Sequence, residues 1–271
     1  MRPALFDKVA VWYSREVRFR GHDRLLHGLL QKIDITVVAP TAFGALMRLH
    51  PRDYLQYVVL RDGIYEPLTI SLIQRILQDG QTFVDIGANV GLHTLAARSI
   101  VGRNGRVVSI EPNPYALIHL LENLALNEFD DVEVIAAAAS DATGLTKMTR
   151  SNATSLGTTA EVREISKGGL LTPCFDLASL LGQLNVGSVA LLKVDVEGRE
   201  AAILNPLCGG GQLPNNIIFE FFPDASPEQS LSNSIFNGLA GCGYDLLTVE
   251  GERYNRGAPV PENNIWAKRD A

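Results

Sequence analysis

Three features of this 271-residue chain predict an α/β fold built on a doubly wound, mostly parallel sheet. Short apolar runs alternate with helical periods from Thr82 onward, and alternation of this kind gives parallel strands with helices on both faces. One run, Thr82 to Ile86, breaks into Gly87 and Gly91; another, Val189 to Val194, is followed by acids spaced two apart. The length suits one such domain with an appendage. A hydrophobic content of 46% with 20% charged residues is that of a soluble globular protein, and there is no apolar run long enough to span a bilayer.

Met1 to about Leu30 scatters Arg15, Arg18, Arg20 and Arg24 among apolar residues, as an amphipathic surface helix does. It reads as a helix packed on the domain or on a second copy of the chain, with a lid or acceptor-docking arm as the alternative. It contains no apolar signal core, so no secretory peptide is expected. Ile33 to Met47 is apolar but interrupted by Asp34 and Pro40. Residues 1–53 therefore form an N-terminal extension and 54–271 the main domain. Tyr54 to Leu60 predicts a strand, and Pro67 to Leu77 a helix closing near Gly80.

From Thr82 the predicted order is strand Thr82 to Ile86, a helix after His93, strand Arg106 to Ile110, helix Pro114 to Asn127 and strand Val132 to Ala138. Gly144 to Leu171, rich in Thr, Ser, Asn and Gly, reads as an insertion of turns and short strands, where ligand specificity usually resides. A helix Asp176 to Leu184, strand Val189 to Val194, helix after Glu200, strand Asn216 to Phe222, helix Pro227 to Ala240 and paired strands Tyr244 to Val249 and Asn264 to Ala267 complete the chain.

Cys174, Cys208 and Cys242 are too few and too dispersed for a disulfide framework or a zinc pattern, so a reducing cytoplasm is the simplest setting. The five histidines show no ligand spacing. A formal charge of −6 argues against a polyanionic partner such as nucleic acid.

The segment Thr82 to Thr94, TFVDIGANVGLHT, carries the strongest ligand signal. The glycines let the backbone turn and approach a ligand, and the helix that follows aims unpaired N–H groups at it. The dinucleotide pattern G-x-G-x-x-G is absent, since Gly87 and Gly91 enclose Ala88, Asn89 and Val90. Asp85 would repel a pyrophosphate but suits a ligand carrying an ammonium and a sulfonium, such as S-adenosylmethionine. Glu111 ends the next strand at about the ~20-residue offset at which an acid reaches ribose hydroxyls, a feature shared with nicotinamide folds.

Leu191 to Glu200, LLKVDVEGRE, places Lys193, Asp195 and Glu197 on one face of an extended chain at a strand's carboxyl end. The competing reading is structural: a buried Lys193–Asp195 pair, with Glu197 favouring the next helix by its charge. Glu220 stands in the apolar strand IIFEFF and must either be paired or open onto the cleft. His93 is a weak candidate base, more simply a helix-start residue.

These motifs resemble the FkbM-type S-adenosylmethionine-dependent methyltransferases: FVDIGANVGLHT, then SIEPNP, then LLKVDVEGREAAIL, supported by GIYEP (63–67), ENLALN (122–127), SNATSL (151–156) and IIFEFFP (217–223). The resemblance runs from about Tyr57 to the C-terminus, and its K-x-D-V-E-G element is the most specific part. It implies a class I methyltransferase sheet of seven strands with the last antiparallel, and methyl transfer usually to oxygen. It further implies that Asp85, Gly87, Asn89, Gly91 and Thr94 line the methionine part of the cofactor, that Glu111 holds the ribose, that Ser140 and Asp141 flank the adenine, and that Tyr65 and Glu66 close over it. Pro173-Cys174-Phe175-Asp176 departs from the family's Thr-Leu-Asp, so no role is carried onto it.

An alcohol attacks a sulfonium methyl well only if its proton can leave, which makes Asp195 the first candidate base and Glu197 the second. Either could instead hold the cofactor ammonium or a divalent cation such as magnesium, for which the sequence shows no diagnostic ligand set. Asn152 and Ser155 of the insertion, with Glu220, are the candidate acceptor contacts, and plain turn residues are the alternative for the first two. The expected acceptor is a hydroxylated small molecule, a sugar or secondary metabolite. Asn113-Pro114-Tyr115 resembles the N-P-P-Y motif of base methylation but follows the wrong strand. A nicotinamide-dependent oxidoreductase and a noncatalytic adenosyl-binding protein are the remaining readings.

Overall fold

The computed structural model describes residues 3–17, 21–150, 159–162, 170–207, 213–222 and 229–269. The predicted alternation produces a seven-stranded sheet from β3 (Thr82–Ile86), β4 (Arg106–Ile110), β5 (Glu133–Ile135), β10 (Leu191–Val194), β11 (Asn216–Glu220), β12 (Tyr244–Thr248) and β13 (Asn264–Arg269). Their spatial order is β12-β13-β11-β10-β3-β4-β5. β13 alone runs against its neighbours β11 and β12, while β10, β11, β3, β4 and β5 pair in parallel. This is the class I methyltransferase sheet.

The helices α4 (Pro67–Ile76), α5 (Leu92–Val101), α6 (Pro114–Leu126), α7 (Leu177–Gln183), α8 (Glu200–Leu207) and α9 (Gln229–Gly241) lie among the strands. β3 and β10 are buried apart from Thr82 at the edge, with Phe83, Val84, Leu191, Leu192 and Val194 out of contact with water, as parallel strands covered on both faces require. From β3 the chain winds outward in one direction through β4 and β5, then returns to β3's other side with β10. The crevice outside the carboxyl ends of β3 and β10 is the switch point where open α/β sheets take their ligands.

Strands from residues 138–150, 159–162 and 170–176 stand apart from this sheet. The predicted strand Val132 to Ala138 is divided: β5 stays in the main sheet, the chain bends at Ala137, whose N–H donates to the Ile135 carbonyl at 3.0 Å, and β6 (Ala138–Ser140) opens a second sheet. β7 (Gly144–Arg150), β8 (Thr159–Val162) and β9 (Leu170–Asp176) complete it in the order β6-β9-β7-β8. Alternate residues of β9 are buried, Thr172 and Cys174 inward and Leu171 outward, the period-two signature of a one-sided sheet.

The predicted strand Tyr54 to Leu60 is instead a helix, α3 (Tyr54–Asp62). Val58 and Val59 favour a strand, but the ends decide: the Asp53 carboxylate accepts from Gln56 N–H at 3.1 Å as an N-cap, and Gly63, at φ 79°, closes the helix in the left-handed region.

The extension comprises α1 (Leu5–Glu16), α2 (His22–Leu30) and an unpredicted antiparallel hairpin of β1 (Val37–Pro40) and β2 (Leu46–Leu49). It is tied to the domain by polar contacts as well as by burial. Arg15 donates to the carbonyls of Pro40 and Leu60 at 2.7 and 3.1 Å. The asparagines of ENLALN bind the hairpin edge: Asn123 and Asn127 accept from Arg48 N–H and Leu46 N–H at 2.7 and 2.8 Å, and Asn123 donates back to the Val90 carbonyl at 2.9 Å. Each such bond contributes on the order of 1 kcal/mol. No described helix is long and apolar enough to cross a membrane.

Candidate active site

The cleft at the switch point, about 370 Å³, is walled by the loops that leave β3, β4, β10 and β11, by the start of α3, and by Ala138, Ala139 and Met148 of the second sheet. It gathers residues far apart in sequence: Tyr65, Glu66, Gly87, Asn89, Glu111, Asp195, Glu197 and Glu220 all line it.

Parallel pairing fixes the centre of the site. Lys193 pairs with Asp85 across β10 and β3, and Val194 with Ile86, so Asp195 emerges beside Gly87. Its N–H donates to the Ile86 carbonyl at 2.9 Å. Lys193 is 1% exposed, and its ammonium meets Asp195 Oδ2 at 2.8 Å. Burial opposes ionisation of both groups, but their mutual attraction prevails: Lys193 is raised well above its ordinary value and Asp195 lowered below its own. The buried pair weighed from the sequence is therefore present, and Asp195 still opens onto the cleft with its side chain 29% exposed.

Glu111 is buried, and its two oxygens accept from the backbone N–H groups of Asn89 and Asn113, each at 2.8 Å. Burial pushes it up to about 7 against those hydrogen bonds. Glu220 goes further, to about 9, because it is desolvated and faces the negative charges of Asp195, Glu197 and Glu200. The proton that Glu220 keeps in turn favours the ionised form of Asp195, so the two carboxyl groups are driven apart, one neutral and one charged. Glu197, at φ 56°, is raised by partial burial and by Asp195. Tyr65 is held up to about 12 by burial and by Glu66 and Asp195.

Asp85, Gly91 and Thr94 lie behind the cleft wall. Asp85 is 1% exposed and accepts from Thr94 Oγ1 at 2.6 Å, with Ser109 Oγ 2.8 Å from the same hydroxyl, so this triplet anchors α5 to β3 and β4. Ser140, at the end of β6, is buried and donates to Asp141 at 3.3 Å; neither lines the cleft, where Ala138 and Ala139 stand instead. Asn152 and Ser155 lie outside the described residues. His93 Nε2 lies 3.2 Å from Glu66 Oε2, consistent with a helix-start residue.

Several contributors were not singled out from the sequence. Glu200 is buried and accepts from Val196 and Gly198 N–H at 3.0 and 3.3 Å, which shapes the loop carrying Glu197. Glu262, close to the sheet's last strand, accepts from Leu68 and Thr69 N–H, both at 2.8 Å, and so caps α4 directly after Tyr65 and Glu66. The E-G-x-E spacing at Glu197–Glu200 was a signal for the first; nothing local announces the second. Asp53, Tyr54 and Leu55 also enter the cleft, following from the helix that replaces the expected strand. Among the described residues, the grouping of three donors close enough for a metal ion is His50, His119 and Glu122, outside this cleft, although the histidines show no ligand spacing in sequence.

The methyltransferase FkbM domain profile matches residues 85–246, more than half of the chain. The chain belongs to the FkbM methyltransferase family. Its cofactor is S-adenosylmethionine. No curated protein matches this FkbM methyltransferase. Similar solved structures include a Clostridium thermocellum protein suspected to be an rRNA methylase, at 14% identity and a TM-score of 0.48 over 77% of this chain and 98% of that one. A precorrin-6y C5,15-methyltransferase from Geobacter metallireducens aligns at 15% identity and 0.43 over 75% and 88%. An S-adenosylmethionine-dependent O-methyltransferase from Thermotoga maritima aligns at 16% identity and 0.43 over 86% and 77%.

Proposed function

We propose that this FkbM methyltransferase methylates a hydroxyl oxygen of a small molecule, such as a sugar or secondary metabolite, in the cleft at the carboxyl ends of β3, β10 and β11. The observation that carries the reading is the cleft's acidic lining: Asp53, Glu66, Asp195 and Glu197, with Glu111 and the protonated Glu220, stand against Arg199 as the basic member of that wall. Such a wall attracts a cationic cofactor and repels the phosphates of a nucleic acid.

The residues fit S-adenosylmethionine. Glu220 Oε2 is buried with no hydrogen-bond partner among the described residues, and the buried Glu66 Oε2 faces His93 Nε2 at 3.2 Å without a well-aligned hydrogen bond, so both oxygens can still accept from an ammonium. Tyr65, Glu66, Gly87 and Asn89 would hold the methionine end and Glu111 the ribose. Asp85, Gly91 and Thr94 would act from behind, by fixing the turn. Ser140 and Asp141 stay proposed for the adenine side. When bound, the cofactor supplies an electrophilic methyl group on a good leaving group.

The chain's own part is positioning and proton handling. Asp195, kept ionised by Lys193, accepts a hydrogen bond from the acceptor hydroxyl and orients it. Glu197, whose proton affinity is raised by burial and by Asp195, is the second candidate sink for the departing proton. Glu220, neutral at pH 7, holds Asp195 in place. Asn152 and Ser155 are proposed as acceptor contacts on the SNATSL segment alone. A second copy packing on the exposed stripe Leu5, Phe6, Val9 and Trp12 of α1 is the proposed oligomeric state, to be checked by light scattering with Trp12→Glu as the monomeric control.

The test is transfer of labelled methyl from the cofactor to a panel of hydroxylated sugars and alcohols, with ribosomal RNA and amines in parallel. Label in a small-molecule hydroxyl, reduced about 100-fold or more by Asp195→Ala while S-adenosylhomocysteine still binds, supports the reading. Label confined to RNA or to an amine overturns it.

A further inference from the structure

We propose that His50, His119 and Glu122 form a binding site for a divalent transition-metal ion of the zinc type, which staples the β1–β2 hairpin to α6. His50 follows β2, whereas His119 and Glu122 stand three residues apart on one face of α6. The fold brings one donor atom from each to within 4.8 Å of the others, and the two imidazole rings to 4.3 Å between centroids at 38°.

The donor set selects the metal. Two imidazoles and a carboxylate, with water in the fourth position, are a recurring zinc arrangement, and nitrogen donors favour zinc, copper or nickel over magnesium. Bonds of about 2.0–2.1 Å to zinc place ligand atoms roughly 3.4 Å apart, so the widest separation must close by up to about 1.4 Å. The side chains have that freedom: Glu122 is 46% exposed and His119 17%. His50 is the fixed member. Its Nδ1 lies 3.4 Å from Thr36 Oγ1, an outer-shell partner of the kind that orients a ligating ring, and its Nε2 is buried with no hydrogen-bond partner among the described residues. Asp34 adds negative charge toward His50. Arg48, 3.7 Å from Glu122, is the cation already present and would have to release that carboxylate.

The site joins two parts of the chain that the catalytic cleft depends on. Asn123, next to Glu122, holds both the hairpin at Arg48 and the loop carbonyl of Val90 between Asn89 and Gly91. A metal ion that pins α6 to the hairpin therefore stiffens the support of that loop.

The experiment uses the full chain, stripped with chelator and titrated with zinc chloride, with magnesium chloride in parallel. Bound zinc is counted after dialysis, melting temperature is followed, and zinc X-ray absorption reports the ligand atoms. About one equivalent with two imidazole nitrogens in the spectrum, a rise in melting temperature and no response to magnesium are expected. Glu122→Gln, on the surface, and His119→Asn should each lower zinc affinity at least about tenfold while S-adenosylhomocysteine binding persists. Failure of the wild-type chain to retain zinc, a thiolate-dominated spectrum pointing to the cysteines, or unchanged affinity in Glu122→Gln overturns the proposal.

Discussion

The carbonyl oxygen of Asp195 lies against Gly87 so closely that a Cβ on Gly87 would fall far inside the carbon–oxygen contact distance. The loop after β3 and the loop after β10 are thus in backbone contact at the centre of the cleft. Gly87 has φ 78°, so both its conformation and its surroundings reject a side chain. Gly87→Ala is expected to lower stability by about 2–4 kcal/mol, the cost of strain plus displaced backbone, and to weaken S-adenosylhomocysteine binding beyond what the stability loss alone explains. Denaturant melts paired with calorimetric titration check it; a variant with wild-type affinity would falsify the view that the contact shapes the cofactor loop.

Asp195 and Lys193 give an asymmetric pair of substitutions. Lys193 is fully enclosed, while Asp195 opens onto the cleft. Asp195→Asn strands a buried ammonium, so a stability loss of about 1–3 kcal/mol is expected, less than for a wholly buried pair because one partner reaches water. Lys193→Met leaves Asp195 able to rehydrate but raises its proton affinity. Methyl transfer by Lys193→Met should then begin to fall at a higher pH than in the wild type as pH drops, because Asp195 protonates in addition to Glu197. Identical pH profiles for the two proteins would show that Lys193 has only a packing role.

Much of this arrangement was legible in the sequence because it is local. A parallel strand ending in an acid and a glycine turn is written in contiguous residues, which is why Asp85, Gly87, Glu111 and Asp195 could be placed at strand ends and the strand Thr82–Ile86 bounded to the residue. What escaped was set by distant partners. Tyr54–Asp62 carries strand-forming valines, and its helix rests on capping by Asp53 and Gly63. Asp85 and Thr94 lie in the cofactor motif, yet side-chain direction turns them inward to each other. Glu262 reaches α4 from the far end of the chain, and His50 meets His119 through a hairpin without a strong alternating pattern.

Glu111 and Glu220 are expected to make cofactor binding pH-dependent. Both have folded proton affinities raised above the ordinary 4.5, to about 7 and about 9. The native state therefore holds protons that the unfolded chain has released between pH 4.5 and 9, and stability of the ligand-free protein falls as pH rises through that window. A sulfonium in the cleft favours the ionised carboxylates, so S-adenosylmethionine affinity should rise from pH 6 to 9 more steeply than that of the neutral thioether S-adenosylhomocysteine. Glu220→Gln should flatten the part of the difference above pH 7. Calorimetry in buffers of different ionisation enthalpy, which counts protons released on binding, decides it; equal proton release by the two ligands would remove the electrostatic argument.

Glu262 links the sheet's last strand to the cofactor side of the cleft. Its carboxylate accepts from the first free N–H groups of α4, while Asn264 at the start of β13 donates to Thr69 Oγ1 at 3.1 Å, so the α4 N-terminus is held from outside the helix. Glu66 immediately precedes that helix at φ 51°, a conformation the following turn must enforce. A charged acceptor at a helix N-terminus contributes about 1–2 kcal/mol, and Glu262→Gln keeps the shape but loses the charge and one of the two acceptors. The expected outcome is a stability loss in that range and a several-fold rise in KM for S-adenosylmethionine at nearly constant kcat, because Tyr65 and Glu66 lose their support while Asp195 and Glu197 keep theirs. A fall in kcat with unchanged KM would place the role of Glu262 at the acceptor side instead.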